Sequence, residues 1–290
     1  LNLQVMRVPG QADRLAWLAD RIPALPGSGI VYALTTRDTE RVARWLRQNG
    51  IDAQAYHSDL DDDERQRLEQ ALLANEVKCL VATTALGMGY DKPDLTFVIH
   101  FQTPGNVVAY YQQVGRAGRA IPQAYGVLLS GEEDDTINAF FRRAAFPPER
   151  QVESILSALD EAEDGLRERD LERTVNLRPS QIEKVLKLLV VEPRSPVVRI
   201  DKRWYRTPNA FVMDRERIAH LTRQRELEWE QMQEYVANRC CSMQFLASAL
   251  DDDTGGPCGR CAVCLRRPLL PVDTQPATLI AARQSMRHSE

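Results

Sequence analysis

The feature that most constrains the fold is a series of short apolar runs separated by helix-length segments. Gly29–Leu34 (GIVYAL), Ala53–His57 (AQAYH), Lys78–Thr83 (KCLVAT), Phe97–Phe101 (FVIHF) and Tyr125–Leu129 (YGVLL) are largely β-branched, aromatic or small apolar. A strand that is apolar on both faces is buried on both faces, as in a parallel sheet covered by helices. The intervening segments have helical spacing. Thr39–Gln48 places Val42, Ala43, Trp45 and Leu46 at that spacing, and Asp61–Leu73 opens on three acids, where the helix dipole favours negative charge. This alternation makes residues 1–148 an open, mostly parallel α/β sheet.

The pattern changes after Phe146-Pro147-Pro148. Val152–Glu163, Leu166–Thr174 and Ser180–Val190 are helical in period, with a turn at Asn176–Pro179. Two strand-like pieces follow, Val197–Ile200 and Arg203–Arg206, with Asp201-Lys202 at the tip. That order predicts a winged helix-turn-helix over 149–208. Residues 209–267 read as a polar helical module ending in a cysteine cluster, with Cys240 and Cys241 on one helix. Residues 268–290 read as a linker or tail, although 277–284 also fits the start of a helix.

Charge narrows the function classes. Lys plus Arg is 37 and Asp plus Glu is 41, a net charge of −4. No global attraction to a polyanion follows, and a nucleic-acid surface must be a local patch. No apolar run reaches the ~18 residues of a membrane span. The N-terminus has no signal-peptide pattern and starts at Leu1, which reads as a piece of a longer protein. Five of the 37 basic residues are Lys, an Arg bias that fits a GC-rich bacterial source. The six cysteines, most of them between Cys240 and Cys264, read as an intracellular metal site rather than a disulfide framework. The expected location is cytoplasmic, at the nucleoid.

The sharpest motif is Gln112-Gln113-Val114-Gly115-Arg116-Ala117-Gly118-Arg119. Its two arginines, three apart, are expected on one helical turn, with glycines allowing close backbone approach. Arginine matches phosphate geometry and can stabilise charge on a transferring phosphoryl group. A surface turn with solvated arginines is the bland alternative. Val81–Pro93 (VATTALGMGYDKP) follows a predicted strand, and such a Thr/Gly loop lies where α/β sheets bind ligands.

Together with Gly29–Leu34 and Tyr56-His57, these segments resemble motifs IV, V and VI of superfamily 2 helicases. The wording GMGYDKP, VIHFQTP and YYQQVGRAGR is similar to the RecQ family in particular. The resemblance implies a RecA-like lobe and assigns roles by position. Arg119 matches the principal arginine finger, Arg116 the second arginine facing the ATP phosphates, and Gln112 the glutamine that couples ATP to DNA. Thr84, Gly87 and Gly89 match the motif V loop at the DNA backbone. Asp91 lies in that loop and reads equally as a loop-capping carboxylate. Arg37 reads as a contact to a DNA phosphate or as an exposed helix-start arginine. His57 matches a recurrent Tyr-His position and reads mainly as a hydrogen-bonded structural histidine. Where the family continues motif VI with Asp-Gly, this chain has Ala120-Ile121.

Neither a GxxxxGK[ST] phosphate loop nor an Asp-Glu-x-His motif is present. Both belong to the first lobe of such helicases. The resemblance therefore implies a second lobe that completes an ATP and Mg2+ site with a missing N-terminal lobe and does not hydrolyse ATP alone.

Cys258, Cys261 and Cys264 form two overlapping CxxC units, and a fourth thiolate upstream would close a tetrahedral zinc site. The resemblance favours Cys241, with Cys240 as competitor; an iron–sulfur cluster is the alternative to zinc. A closed four-ligand site is structural. Cys79 reads as a buried strand residue. Between Arg178 and Arg206 basic residues outnumber acids by eight to three. Ser180, Gln181, Lys184 and Lys187 are expected on the exposed face of the second helix. Lys202 and Arg203 fall on the wing, with Trp204 and Tyr205 able to stack. This is the footprint of a duplex-binding module, and a protein-contacting winged helix is the alternative. In the usual RecQ order zinc precedes the winged helix, so this patch rests on charge alone.

The expected whole is an α/β RecA-like lobe, a winged helix and a helical zinc module. It would form the C-terminal half of an ATP-dependent 3′-5′ DNA helicase acting at single-strand/duplex junctions. A non-enzymatic DNA-binding module with a retired motor lobe and an RNA helicase are the other readings.

Overall fold

Six parallel strands organise the first part of the chain. The computed structural model describes residues 1–87 and 90–287. Strands β1 (Asn2–Arg7), β2 (Gly29–Tyr32), β3 (Ala53–Tyr56), β4 (Cys79–Ala82), β5 (Phe97–His100) and β6 (Tyr125–Ser130) form one sheet. Its order is β1-β6-β5-β2-β4-β3, and every neighbouring pair is parallel. Every residue of β2, β4 and β5 is buried. Alternation along the strands feeds two cores. Ile30, Leu80 and Val98 face one side with Leu3 and Tyr110, while Val31, Val81 and Ile99 face the other with Trp17, Val42 and Leu46. Each such side chain contributes about 1.5–3 kcal/mol of burial.

Helices α1 (Gln11–Arg21), α2 (Thr36–Gln48), α3 (Asp62–Leu73) and α4 (Val107–Val114) connect the strands. Local chemistry sets where three of them begin. The side chains of Thr35, Asp61 and Asn106 accept hydrogen bonds from the backbone N–H of Asp38, Glu64 and Ala109 at 3.0, 2.8 and 2.7 Å.

The compact units differ from the boundaries expected at 148, 208 and 267. One unit is Leu1–Asn138 together with Leu227–Glu290, and the other is Ala139–Glu226. The second is therefore an insertion in the first, entered through α5 (Asp134–Arg143) and left through α9 (Arg215–Ala237). It contains α6 (Glu149–Asp160), α7 (Glu168–Val175), α8 (Pro179–Val190) and the antiparallel pair β7 (Val197–Ile200) and β8 (Arg203–Arg206). Ile155, Leu171, Val185, Leu189 and Trp204 close its core. Leu166 exchanges two backbone hydrogen bonds with Trp204, adding a third short rung. Helices followed by a two-stranded hairpin therefore make up this unit. The wing turns on Asp201 and Lys202, both left-handed (φ 47° and 65°), as a two-residue hairpin of the primed type requires.

The rest of the first unit is α10 (Ser242–Ser248), α11 (Ala262–Leu265) and α12 (Pro276–Arg287). Two expectations change here. Cys240 and Cys241 do not sit within a helix, because Cys241 is the N-cap of α10 and Cys240 precedes it. Residues 268–287, the described part of the expected tail, are not loose either. Gln4 clamps the Leu270 peptide from both sides, at 3.0 and 2.9 Å, and the Trp17 indole donates to Pro271 O at 2.9 Å. Ala282 of α12 is fully buried, with Leu279 and Met286 packed beside it on the α1 side of the core. Among the described residues no helix is long and apolar enough to cross a membrane.

Candidate functional site

The glycine-arginine motif lies just beyond α4. The helix ends at Val114 with Gly115 as its cap, so Arg116 and Arg119 project from a turn rather than from the helical turn expected. Gly118 makes that turn with φ +80°, and an added Cβ would sit 3.0 Å from Ala124. Two backbone bonds strap the turn to the segment before β5: Gly118 N to Leu95 O at 3.0 Å and Ala120 N to Pro93 O at 2.9 Å. With Ala120 in that strap and Ile121 packed on the core, the turn holds without the family's Asp-Gly.

The loop after β4 supplies partners for both arginines. Arg116 Nη1 donates to Tyr90 O at 2.8 Å, and its buried Nε has no partner among the described residues. The same guanidinium faces Tyr32. Burial pushes that phenol up to about 12 against the pull of the positive charge. Arg119 Nη1 pairs with Asp91 Oδ1 at 2.9 Å, and its Nε reaches Gly115 O at 3.3 Å. Gln112 is exposed on α4, and Thr84 is exposed after β4. At Gly87 a Cβ would come, among the described residues, no closer than 3.6 Å to backbone, so they do not demand glycine there. Gly89 and Met88 lie outside the described residues.

The foot of this loop is firmly held. Lys92 is 2% exposed, and its Nζ bonds Asp94 at 2.7 Å and Leu73 O at 3.3 Å. Asn75 bonds Asp94 at 3.1 Å, and Ser28 bonds Asn75 at 2.7 Å. Lys92 and Asn75 hold the Asp94 carboxyl below its ordinary range. Sequence reasoning passed over Lys92; a lysine flanked by two aspartates was the available signal. It also passed over a buried aromatic series. His100 bonds Gln113 at 2.6 Å and stacks on Tyr32 at 5.3 Å, and Tyr110 then links His100 to Tyr235 at 4.8 and 5.1 Å. His57 is buried against Glu40 at 3.0 Å, in keeping with a structural histidine. Arg37 is exposed in the first turn of α2 and has partners of its own.

The second constellation is Cys241, Cys258, Cys261 and Cys264, whose sulfurs all lie within 4.8 Å of one another. Cys240 is exposed and outside the group. Zinc–thiolate bonds of ~2.3 Å in tetrahedral array need sulfurs ~3.8 Å apart, so this spread closes on a metal with small side-chain movement. Backbone N–H groups already point at the sulfurs: Cys258 to Cys241 at 3.2 Å, Cys261 to Cys258 at 3.4 Å and Cys264 to Cys261 at 3.4 Å. Burial opposes ionisation of Cys261, but N–H donors from Cys264 and Ser242 outweigh it and bring the thiol down to about 6. Cys241 and Cys261 pack in the same core as Leu3 of β1 and Tyr235 of α9.

The basic patch of the inserted unit is less free than its composition implied. Lys184 donates to Ala144 O, and Lys187 pairs with Glu183 at 2.7 Å. Arg203 donates to Gly165 O at 2.9 Å, while Lys202 stays exposed at the wing tip. Gln181 accepts from Arg178 N and caps α8, and Ser180 is exposed beside it. Trp204 is not available to stack on a base. It is 7% exposed in the core, its indole is directed to Glu168 at 3.3 Å, and Arg199 lies over its ring. Tyr205 lies partly buried, close against Gly165.

Residues 15–121 match the helicase conserved C-terminal domain. The RecQ-like DNA helicase blm-1 of Caenorhabditis elegans is 38% identical over 135 residues, 46% of this chain and 14% of that protein. The ATP-dependent DNA helicase RecQ of Pasteurella multocida is 38% identical over 136 residues, 46% of this chain and 22% of that protein. The match thus spans less than a quarter of either relative. Among solved structures, the E. coli DEAD-box protein SrmB, bound to regulator of ribonuclease activity A, is 23% identical. The alignment covers 49% of this chain and 84% of that one with a TM-score of 0.43. Residues 15–121 carry the helicase conserved C-terminal domain, and RecQ-like DNA helicases are among the relatives this chain is similar to.

Proposed function

We propose that this chain is the second RecA-like lobe of an ATP-dependent 3′-5′ DNA helicase, with a winged-helix DNA-holding insert and a zinc-stapled helical module. The observation that carries this reading is the pair of motif VI arginines on a turn bonded to the motif V loop. Arg116 is anchored to Tyr90 O, whereas the Arg119 guanidinium stands at the surface, 49% exposed. A first lobe bearing the phosphate loop would present ATP to this face. Arg119 would then meet the charge developing on the γ-phosphoryl group, and Arg116 would hold the turn in register. Thr84 and Gly87 line the same loop, and a glycine that no described residue crowds fits close approach by a DNA backbone. Coupling would follow from the shared loop, with Gln112 on the exposed face of α4 as its partner from motif VI.

Zinc is the metal that a closed four-thiolate set fits best, and Cys241, Cys258, Cys261 and Cys264 would hold it. When bound it would supply cross-linking rather than catalysis. The names of the relatives support DNA as substrate. In the insert, Lys202 supports a duplex contact, because it keeps a left-handed backbone where glycine would be less strained. Arg37, Lys184, Lys187 and Arg203 would add phosphate contacts after exchanging their present partners.

The test is DNA binding by the 290-residue chain at two salt concentrations, with metal content and ATPase activity on the same sample. Salt-sensitive binding, about one zinc per chain and no ATPase are expected. In a protein that also contains the first lobe, Arg119→Ala should abolish ATP turnover and leave DNA binding intact. Normal turnover in that variant refutes the arginine assignment, and a preference for RNA duplexes overturns the DNA assignment.

A further inference from the structure

The two arginines are held by consecutive residues of one loop, and the two holds differ in kind. Arg116 donates to a backbone carbonyl, with its Nε buried. Arg119 pairs with a carboxylate, and both side chains of that pair are about half exposed, at 49% and 59%. A carboxylate offers a guanidinium the same anionic acceptor that a phosphate does. An exposed pair of this kind binds weakly and is easily exchanged. Asp91 is not free to wander. Next to it, Lys92 is buried and fixed to Asp94 and to the end of α3, and the Pro93 and Leu95 carbonyls are bonded to the arginine turn itself. The Asp91 backbone and the Arg119 backbone therefore belong to one strapped assembly. The other contact of Arg119 is a long bond from Nε to Gly115 O at 3.3 Å, within its own turn.

We propose that Asp91 is a positioning residue for Arg119. Its carboxylate keeps the guanidinium extended and pre-oriented at the lobe surface until a nucleotide phosphate exchanges for it. The inference rests on reading Arg119 as the phosphate-facing arginine. Without Asp91 the side chain would keep, among the described residues, only the Gly115 carbonyl, and the orientation would have to be found anew in each turnover. The loss would fall on kcat, because a misplaced arginine costs stabilisation of the transition state rather than of the bound substrate.

Two measurements test this. In the 290-residue chain, nitrogen-15 NMR of the arginine side chains should show hindered guanidinium rotation for Arg119, assigned with Arg119→Lys, and Asp91→Asn should release it. In a helicase with both lobes, Asp91→Asn should lower kcat for ATP about two- to fivefold with KM little changed. Asp91→Glu should recover part of the loss. In an Arg119→Lys background, Asp91→Asn should change kcat less than about twofold, since coupled residues are non-additive. Wild-type kcat in Asp91→Asn, or the same loss persisting in the Arg119→Lys background, overturns the proposal while Arg119→Ala remains inactive. Full turnover in Arg119→Ala overturns the underlying reading instead, so the two failures are distinct.

Discussion

Replacing Arg116 by alanine should destabilise the lobe more than replacing Arg119, although the two lie three residues apart. Arg116 loses a charge-assisted bond of 2.8 Å to Tyr90 O in partly buried surroundings. Such bonds contribute about 1.5–3 kcal/mol. Arg119 loses an ion pair whose partners are 49% and 59% exposed. Solvent screening limits that pair to about 0–1 kcal/mol. The unit that contains both spans Leu1–Asn138 and Leu227–Glu290. For a unit of about 200 residues, 1 kcal/mol shifts the melting temperature by ~2–4 °C. Arg116→Ala should therefore lower the transition by roughly 3–12 °C, and Arg119→Ala by no more than ~4 °C. Calorimetry on the 290-residue chain reads both values without a first lobe or ATP. Equal shifts, or a larger one for Arg119→Ala, would refute the division of labour between an anchored and a free-reaching arginine.

Other outcomes are open to direct measurement. Cys261→Ser should abolish metal uptake by the four-cysteine group, read by elemental analysis, and lower the melting temperature, because Cys261 is buried in the core that contains Leu3 of β1. Burial pulls His100 down to about 4 from an unfolded value of 6.5. The unfolded chain then takes up the proton first, so stability falls by up to roughly 3 kcal/mol as pH drops from 6.5 to 4. Urea titrations across that window should show a shallower slope for His100→Asn. Arg14 is fully buried against Asp134 (3.4 Å), Glu133 and Phe101 O (2.6 Å). Arg14→Met should cost about 3 kcal/mol by leaving Asp134 buried without its cation, and a cost below 1 kcal/mol in urea denaturation would count against that network.

The cysteine module gains its meaning from packing. The sheet and the cysteine cluster share one core, and the unit Ala139–Glu226 is spliced between them in sequence. A metal bound there would staple β1, the edge strand of the sheet, as well as α10 and α11. This accounts for why Cys241 is buried while its neighbour Cys240 is exposed.

What the amino-acid sequence determined by itself was everything set over a few residues. Buried strands such as GIVY and CLVA announced themselves by unbroken apolar character, and the helix at Asp62–Leu73 by its acidic start. The wing hairpin and the spacing of Cys258, Cys261 and Cys264 were equally legible, because turn chemistry and ligand spacing are local. Asn2–Arg7 was not, since an edge strand with a mixed burial pattern has no strong period. Contacts between distant segments were decided only by the tertiary structure. Gln4 reaches Leu270 across 266 positions and turns an apparent tail into a docked helix. Trp204, in a basic strand that reads as a stacking surface, is claimed by the core of its own unit. Arg119 finds Asp91 across 28 positions. A residue type states which partners it can take, but only the closed fold brings one of them within 3 Å.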